Sequence, residues 1–152
     1  MTISQKIKTF MWFDDNAEEA VNYYVAAFEN SKIDHIARQG DKAFVIEFTL
    51  AGQHYVALNG GPMFKPNEAI SLMVTCDDQG EVDRLWDHLT KGGSPSQCGW
   101  LKDKYGFSWQ IVPKRFMDLM KDKDSAKTAR VMAAMLQMTK FDVAALEKAY
   151  AA

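Results

Sequence analysis

Glu47, inside Val45-Ile46-Glu47-Phe48-Thr49-Leu50, and His54, at the entrance to the next apolar run, are the side chains best placed for proton transfer. Each also reads as an ordinary solvated group at a strand edge. Lys102 and Asp103 add a cation and an acid just before a tight turn. His35, on an early strand, and His88, within a helix, are too scattered to join His54 in a metal cluster. Nucleophilic catalysis lacks a frame. There is no Gly-x-Ser-x-Gly turn, and Cys76 and Cys98 stand without a Cys-x-x-Cys spacing, so both read as free thiols.

The elements that must position these groups follow from hydrophobic period and punctuation. An apolar run over 6–13 precedes Asp14-Asp15-Asn16, a cap for a helix over 17–28 in which Ala20, Tyr24, Ala27 and Phe28 recur at helical spacing. Strands follow over 32–38, 43–50 and 55–59, separated by Gln39-Gly40-Asp41 and Ala51-Gly52-Gln53. The order is βαβββ. It begins again at Ile70-Ser-Leu-Met-Val-Thr75, with Asp77-Asp78 capping a helix over 81–89 and strands over 96–102 and 107–112. An offset of 62 residues sets Phe10 on Leu72, Met11 on Met73, Glu19 on Glu81 and Tyr24 on Trp86, so two tandem modules are expected. Beyond Lys114 the pattern turns helical over 115–121, 125–138 and 143–151, with Asp124 and Asp142 as caps.

The block Gly99-Trp-Leu-Lys-Asp-Lys-Tyr-Gly-Phe-Ser-Trp-Gln-Ile-Val-Pro113, together with Trp12-Phe13-Asp14-Asp15-Asn16-Ala17 and Ala57-Leu58-Asn59-Gly60-Gly61-Pro62, resembles the PhnB-like branch of the glyoxalase/bleomycin-resistance/dioxygenase superfamily, the vicinal oxygen chelate fold. Many proteins of that branch carry a 3-demethylubiquinone-9 3-methyltransferase label. The resemblance implies an α+β fold of two βαβββ modules, about 3–61 and 69–113 within a domain over 3–113, followed by a C-terminal helical extension over 114–152. Each module is a curved sheet whose concave face helps to form a binding cup.

Metal-dependent members of the superfamily bind a divalent ion with His or Glu side chains from the first and last strands of each module. Alignment puts those positions near Thr9, Ala57, Ser71 and Gln110, none of them an anionic or imidazole donor. The expectation is a cup with no metal and no cofactor. Strand alternation from Thr9 then places Met11 and Phe13 in the cup with Phe10 and Trp12 against the first helix, and it groups Asn59 with Ala57, Met73 with Ser71 and Ser108 with Gln110. The expected ligand-binding set is Thr9, Met11, Phe13, Asn59, Ser71, Met73, Trp100 and Gln110, which suits a small, partly apolar molecule. Methyl transfer has no glycine-rich turn opening a helix after a parallel strand.

Composition bounds the remaining classes. A chain of 152 residues that is 47% hydrophobic, with a formal charge of −2 and pI near 5.9, gives one domain-sized core and no basic surplus for nucleic acid. No apolar run reaches membrane-spanning length and the N-terminus is too polar for a signal peptide, so a soluble cytoplasmic protein is expected. The apolar stripe Val131, Ala134, Met135 and Met138, widened by Met132 and Leu136, calls for burial, within its own domain or in a homodimer. Three readings stand: a small-molecule binder; a metal-independent enzyme of general-base lyase or isomerase type (or of the labelled methyl transfer) using Glu47 or His54; and a structural or interaction dimer.

Overall fold

Two βαβββ units build this α+β chain, and each has its own four-stranded mixed sheet. The computed structural model describes residues 4–152; residue 3, the expected start of the first module, lies outside them. Contacts divide the chain into a unit running up to Pro66 and a second from Asn67 to Ala152.

In the first unit, β1 (Thr9–Phe13), α1 (Ala17–Val25), β2 (Lys32–Gln39), β3 (Lys42–Leu50) and β4 (Gln53–Asn59) form a sheet of order β1-β4-β3-β2, with β1 parallel to β4. Asn16 sits at the N-cap of α1 without using its side chain there. The Ala17 N–H donates instead to Asn59 Oδ1 at the end of β4, 2.9 Å away, while Asn59 Nδ2 donates to the Ala43 carbonyl at 2.9 Å. One amide thus ties the helix start to the sheet.

That tie identifies the face turned toward α1. Phe13 pairs with Asn59 and Met11 with Ala57, so Met11, Phe13 and Ala57 line the α1 face, and all three are buried. Phe10 and Trp12 point the other way, which reverses the expected facing. The physical reason is a one-residue difference between the repeats. The 62-residue offset holds at the helix caps, Asn16 over Asp78, but β1 is followed by Asp14-Asp15 and the matching strand by Asp77 alone. Strand positions therefore correspond with one residue more, Phe10 matching Met73, and such a slip turns every side chain to the opposite face. Trp12 also explains Gly60, since a Cβ there would meet its ring at 2.4 Å; its indole N–H donates to the Gly61 carbonyl at 2.9 Å, and Gly61 has a φ of 90°.

The second unit repeats the plan with β5 (Ser71–Cys76), α2 (Gln79–Thr90), β6 (Ser94–Pro95), β7 (Trp100–Lys102) and β8 (Ser108–Pro113), ordered β5-β8-β7-β6. Asp78 caps α2 by accepting the Glu81 N–H at 2.9 Å. From α2, Val82, Leu85, Trp86 and Leu89 are buried, as are Cys76, Leu101, Trp109 and Ile111 of the sheet. The strand expected over 96–102 is confined to Trp100–Lys102, because Cys98 and Gly99 adopt φ of 58° and 81°, outside any strand conformation. Three helices follow, α3 (Lys114–Leu119), α4 (Ser125–Met135) and α5 (Val143–Ala151); Asp124 and Asp142 cap the last two. Arg130 donates to the Ala149 and Tyr150 carbonyls at the end of α5, a favourable place for a cation.

Candidate functional site

The face of the second sheet opposite Leu101, Trp109 and Ile111 carries Ser71, Met73, Trp100 and Gln110. Register fixes this: Met73, Gln110 and Trp100 lie side by side across β5, β8 and β7, as do Ser71, Ser108 and Lys102. Gln110 Nε2 donates to Ser71 Oγ at 2.9 Å, and Met73 is half exposed beside them. A cavity of about 280 Å³ opens on the same face, walled by Trp100, Lys102, Ser108, Ser94, Ser96 and Glu68. The Lys102 ammonium is paired with the Glu68 carboxylate, a hydrogen bond that holds the Glu68 carboxyl below its ordinary range. Ser108 Oγ is buried and has no hydrogen-bond partner among the described residues. Hydroxyls, an amide, an indole, a thioether and one balanced ion pair can hold a small polar and apolar molecule.

Four of the eight expected binding residues are therefore together. The other four, Thr9, Met11, Phe13 and Asn59, share the α1 face of the first sheet. There Met11 and Phe13 are core, Thr9 is exposed at the strand start, and the Asn59 amide is committed to Ala17 and Ala43. Lys102 and Ser108 lie outside the expected binding set, although alternation groups Ser108 with Gln110, and Glu68 is not expected near it. The signal for the first two is the strand register itself, which sets Lys102 opposite Ser108 beside Gln110.

The proton-transfer candidates also share a face. His54 pairs across the sheet with Thr49, and Glu47, two residues before Thr49, points the same way. The Thr49 hydroxyl donates to Asp34 Oδ2 at 2.7 Å and meets His54 Nδ1 at 3.0 Å. A hydroxyl has one hydrogen to give, so Nδ1 carries its own hydrogen and Nε2 is the basic nitrogen of the neutral ring. Asp34 and Thr49 thus orient His54 as a second residue orients a general base. Asp103 has a structural task instead: buried, it accepts the N–H groups of Tyr105, Phe107 and the Trp109 indole. Cys76 is fully buried, and burial pushes its thiol up to about 12, which removes it as a nucleophile at neutral pH.

The divalent metal of the metal-dependent superfamily members does not fit the residues present. Ala57 is core and has no donor atom, Ser71 and Gln110 bond to each other, and among the described residues no group of three His, Cys, Asp or Glu converges. A nucleotide-type phosphate cradle is also unsupported, because the Gly60 and Gly61 N–H groups donate to the Phe13 and Asp14 carbonyls at 2.9 and 3.0 Å. A larger depression in the first unit, about 480 Å³, is lined by Asp14, Asp15, Glu18, Asp41 and Lys42, with Glu18 already paired to Arg38.

A family model described as 3-demethylubiquinone-9 3-methyltransferase matches residues 5–112. Among solved structures, the chain is similar to a PhnB protein from Bacillus cereus, with 34% identity over 72% of this chain and 99% of that one and a TM-score of 0.69. It is also similar to protein PA1353 from Pseudomonas aeruginosa, with 18% identity over 72% and 98% of the two chains and a TM-score of 0.64. The fosfomycin resistance protein FosX from Mesorhizobium loti gives 11% identity over 73% and 92%, with a TM-score of 0.53. The last two likenesses show the fold alone. No curated protein matches the chain.

Proposed function

Since the chain belongs to the PhnB-like 3-demethylubiquinone-9 3-methyltransferase family of the glyoxalase/bleomycin-resistance superfamily, we propose that it binds a small, partly apolar molecule on the open face of its second sheet. The observation that carries the reading is the convergence of Ser71, Met73, Trp100 and Gln110 there, beside a cavity with an unpaired hydroxyl. No metal-dependent step is derived, because the donor chemistry does not fit one. The methyl transfer in the family's description finds no support in Gly60 and Gly61, whose amides are spent on β1 and the loop after it.

Substituting Gln110 by Leu is expected to weaken binding of panel compounds that shift Trp100 and Gln110 resonances by about fivefold, since one lost ligand hydrogen bond is worth about 1 kcal/mol. Unchanged dissociation constants in the folded variant would remove Gln110 from the site. Turnover of a bound compound that disappears with His54→Gln would favour the enzyme reading, which the Asp34–Thr49–His54 chain supports.

The reading includes a cytoplasmic homodimer. Free Cys76 and Cys98 suit a reducing compartment, and no helix among the described residues is long and apolar enough to cross a membrane. For the dimer, the support lies in α4 and its C-cap, where Val131 is buried but Met132 and Leu136 of the same stripe are 36% and 56% exposed. Light scattering at micromolar concentration is expected to give twice the mass of one chain, and the mass of a single chain would refute the dimer.

A further inference from the structure

We propose that the cavity beside Lys102 and Ser108 is a carboxylate subsite, so that the molecule taken by the second sheet carries one carboxylate on an apolar body. The inference rests on the ligand-binding reading above and names the class of ligand. Its first support is Ser108, a lining residue at 3% exposure whose buried Oγ has no hydrogen-bond partner among the described residues. A buried, unpaired hydroxyl costs stability, and such groups persist where a ligand completes them.

The second support is independent. Lys102 stands directly opposite Ser108 in the β7–β8 register, so an ammonium and a hydroxyl donor serve one small volume. That ammonium already holds a carboxylate, from Glu68, whose side chain lines the same cavity. Both partners are substantially exposed, at 41% and 59%, so the pair is easily exchanged. A ligand carboxylate replacing Glu68 keeps one ion pair and gains the Ser108 hydrogen bond. A neutral group would satisfy Ser108 but leave Lys102 with Glu68 and take nothing from the ammonium; a dianion would bring a charge that no other lining residue balances. Trp100 offers an apolar wall for the remainder of the molecule. Glu68 is then an internal competitor that occupies the ammonium until a ligand arrives.

The test uses the intact chain with benzoate and phenylacetate against benzamide and phenylacetamide, followed by amide NMR shifts and calorimetry. The carboxylates are expected to shift Trp100, Lys102 and Ser108 and to bind about tenfold more tightly than the amides, as a charge-assisted hydrogen bond implies. Glu68→Gln should tighten carboxylate binding several-fold, and Lys102→Met should remove the preference over amides. Ser108→Ala should weaken carboxylates about tenfold while raising the melting temperature, a combination that a merely structural serine does not give. Equal affinity for acids and amides, or a Glu68→Gln variant that binds carboxylates no better, overturns the subsite and leaves the binding reading standing. If neither acids nor amides perturb Trp100 or Gln110, the binding reading itself falls.

Discussion

Replacing Asp103 with Ala is expected to destabilise the protein by about 3–5 kcal/mol, because it strands three N–H groups at once, each worth about 1–3 kcal/mol when left unpaired. The residue is only 3% exposed. Its Oδ1 accepts the Tyr105 and Phe107 amides at 2.8 and 3.1 Å, and its Oδ2 accepts the Trp109 indole at 2.9 Å. The main chain of the same residue closes the β7–β8 turn, accepting from Gly106 at 3.0 Å and donating to Phe107 at 2.9 Å, with Gly106 at φ 90°. Asp103 therefore fixes the turn, and through Trp109 it fixes the buried face of β8. Asn is expected to recover part of the loss, since its oxygen replaces one acceptor and its amide opposes a donor. Urea unfolding followed by tryptophan fluorescence reads the effect. A loss below about 1 kcal/mol for Ala would mean that water satisfies the stranded donors and that the turn is held elsewhere.

The hairpin around Asp103 was legible in the sequence because turn residues and alternation agree there. The role of its carboxylate was not. Asp103 reads equally as an exposed acid until the register brings the Trp109 indole over it. The same limit explains the reversed face of β1: helical caps align the two modules cleanly, while the single extra residue between Phe13 and Asn16 acts only through the pleat. Alignment to the superfamily's metal positions brings Ser71 and Gln110 together, and alternation along the regular β5 then adds Met73. Alternation also puts Ser108 on the Gln110 face, but that its hydroxyl is unpaired escapes, because that is a property of neighbours that no local pattern encodes. Asp34 and Thr49 reach His54 across a hairpin whose β2 strand shifts register between Ile33 and His35, a bulge with no compositional mark.

How the C-terminal helices attach is the other place where a large effect is expected, and it turns on Gly99. Cys98 and Gly99, at φ 58° and 81°, aim their N–H groups at the Met138 and Thr139 carbonyls, each 2.8 Å away, while the Gly99 carbonyl accepts from Ile111 of β8. Phe141 follows at once. It is buried, its ring is 5.0 Å from that of Phe116, and the Gln79 side chain accepts from Val143 and donates to the Phe141 carbonyl. Phe141→Ala is expected to cost about 3–5 kcal/mol, the usual range for emptying a buried aromatic site. Gly99→Ala is expected to cost about 3 kcal/mol, combining a left-handed backbone that disfavours a side chain with overpacking. Its Cβ would lie 2.5 Å from the Phe141 ring and 2.9 Å from the Ile111 carbonyl. Because the ring is common to both changes, the double variant should lose less than the sum, by about 1–2 kcal/mol of coupling, with the backbone strain and the Ile111 contact left as the remainder. A urea double-mutant cycle measures this. Strict additivity would place Phe141 away from Gly99 in solution and free the helices beyond Pro113 from the second unit, whereas the expected coupling makes residues 138–143 part of the core that holds β7 and β8, and with them Trp100, Lys102 and Ser108, in place.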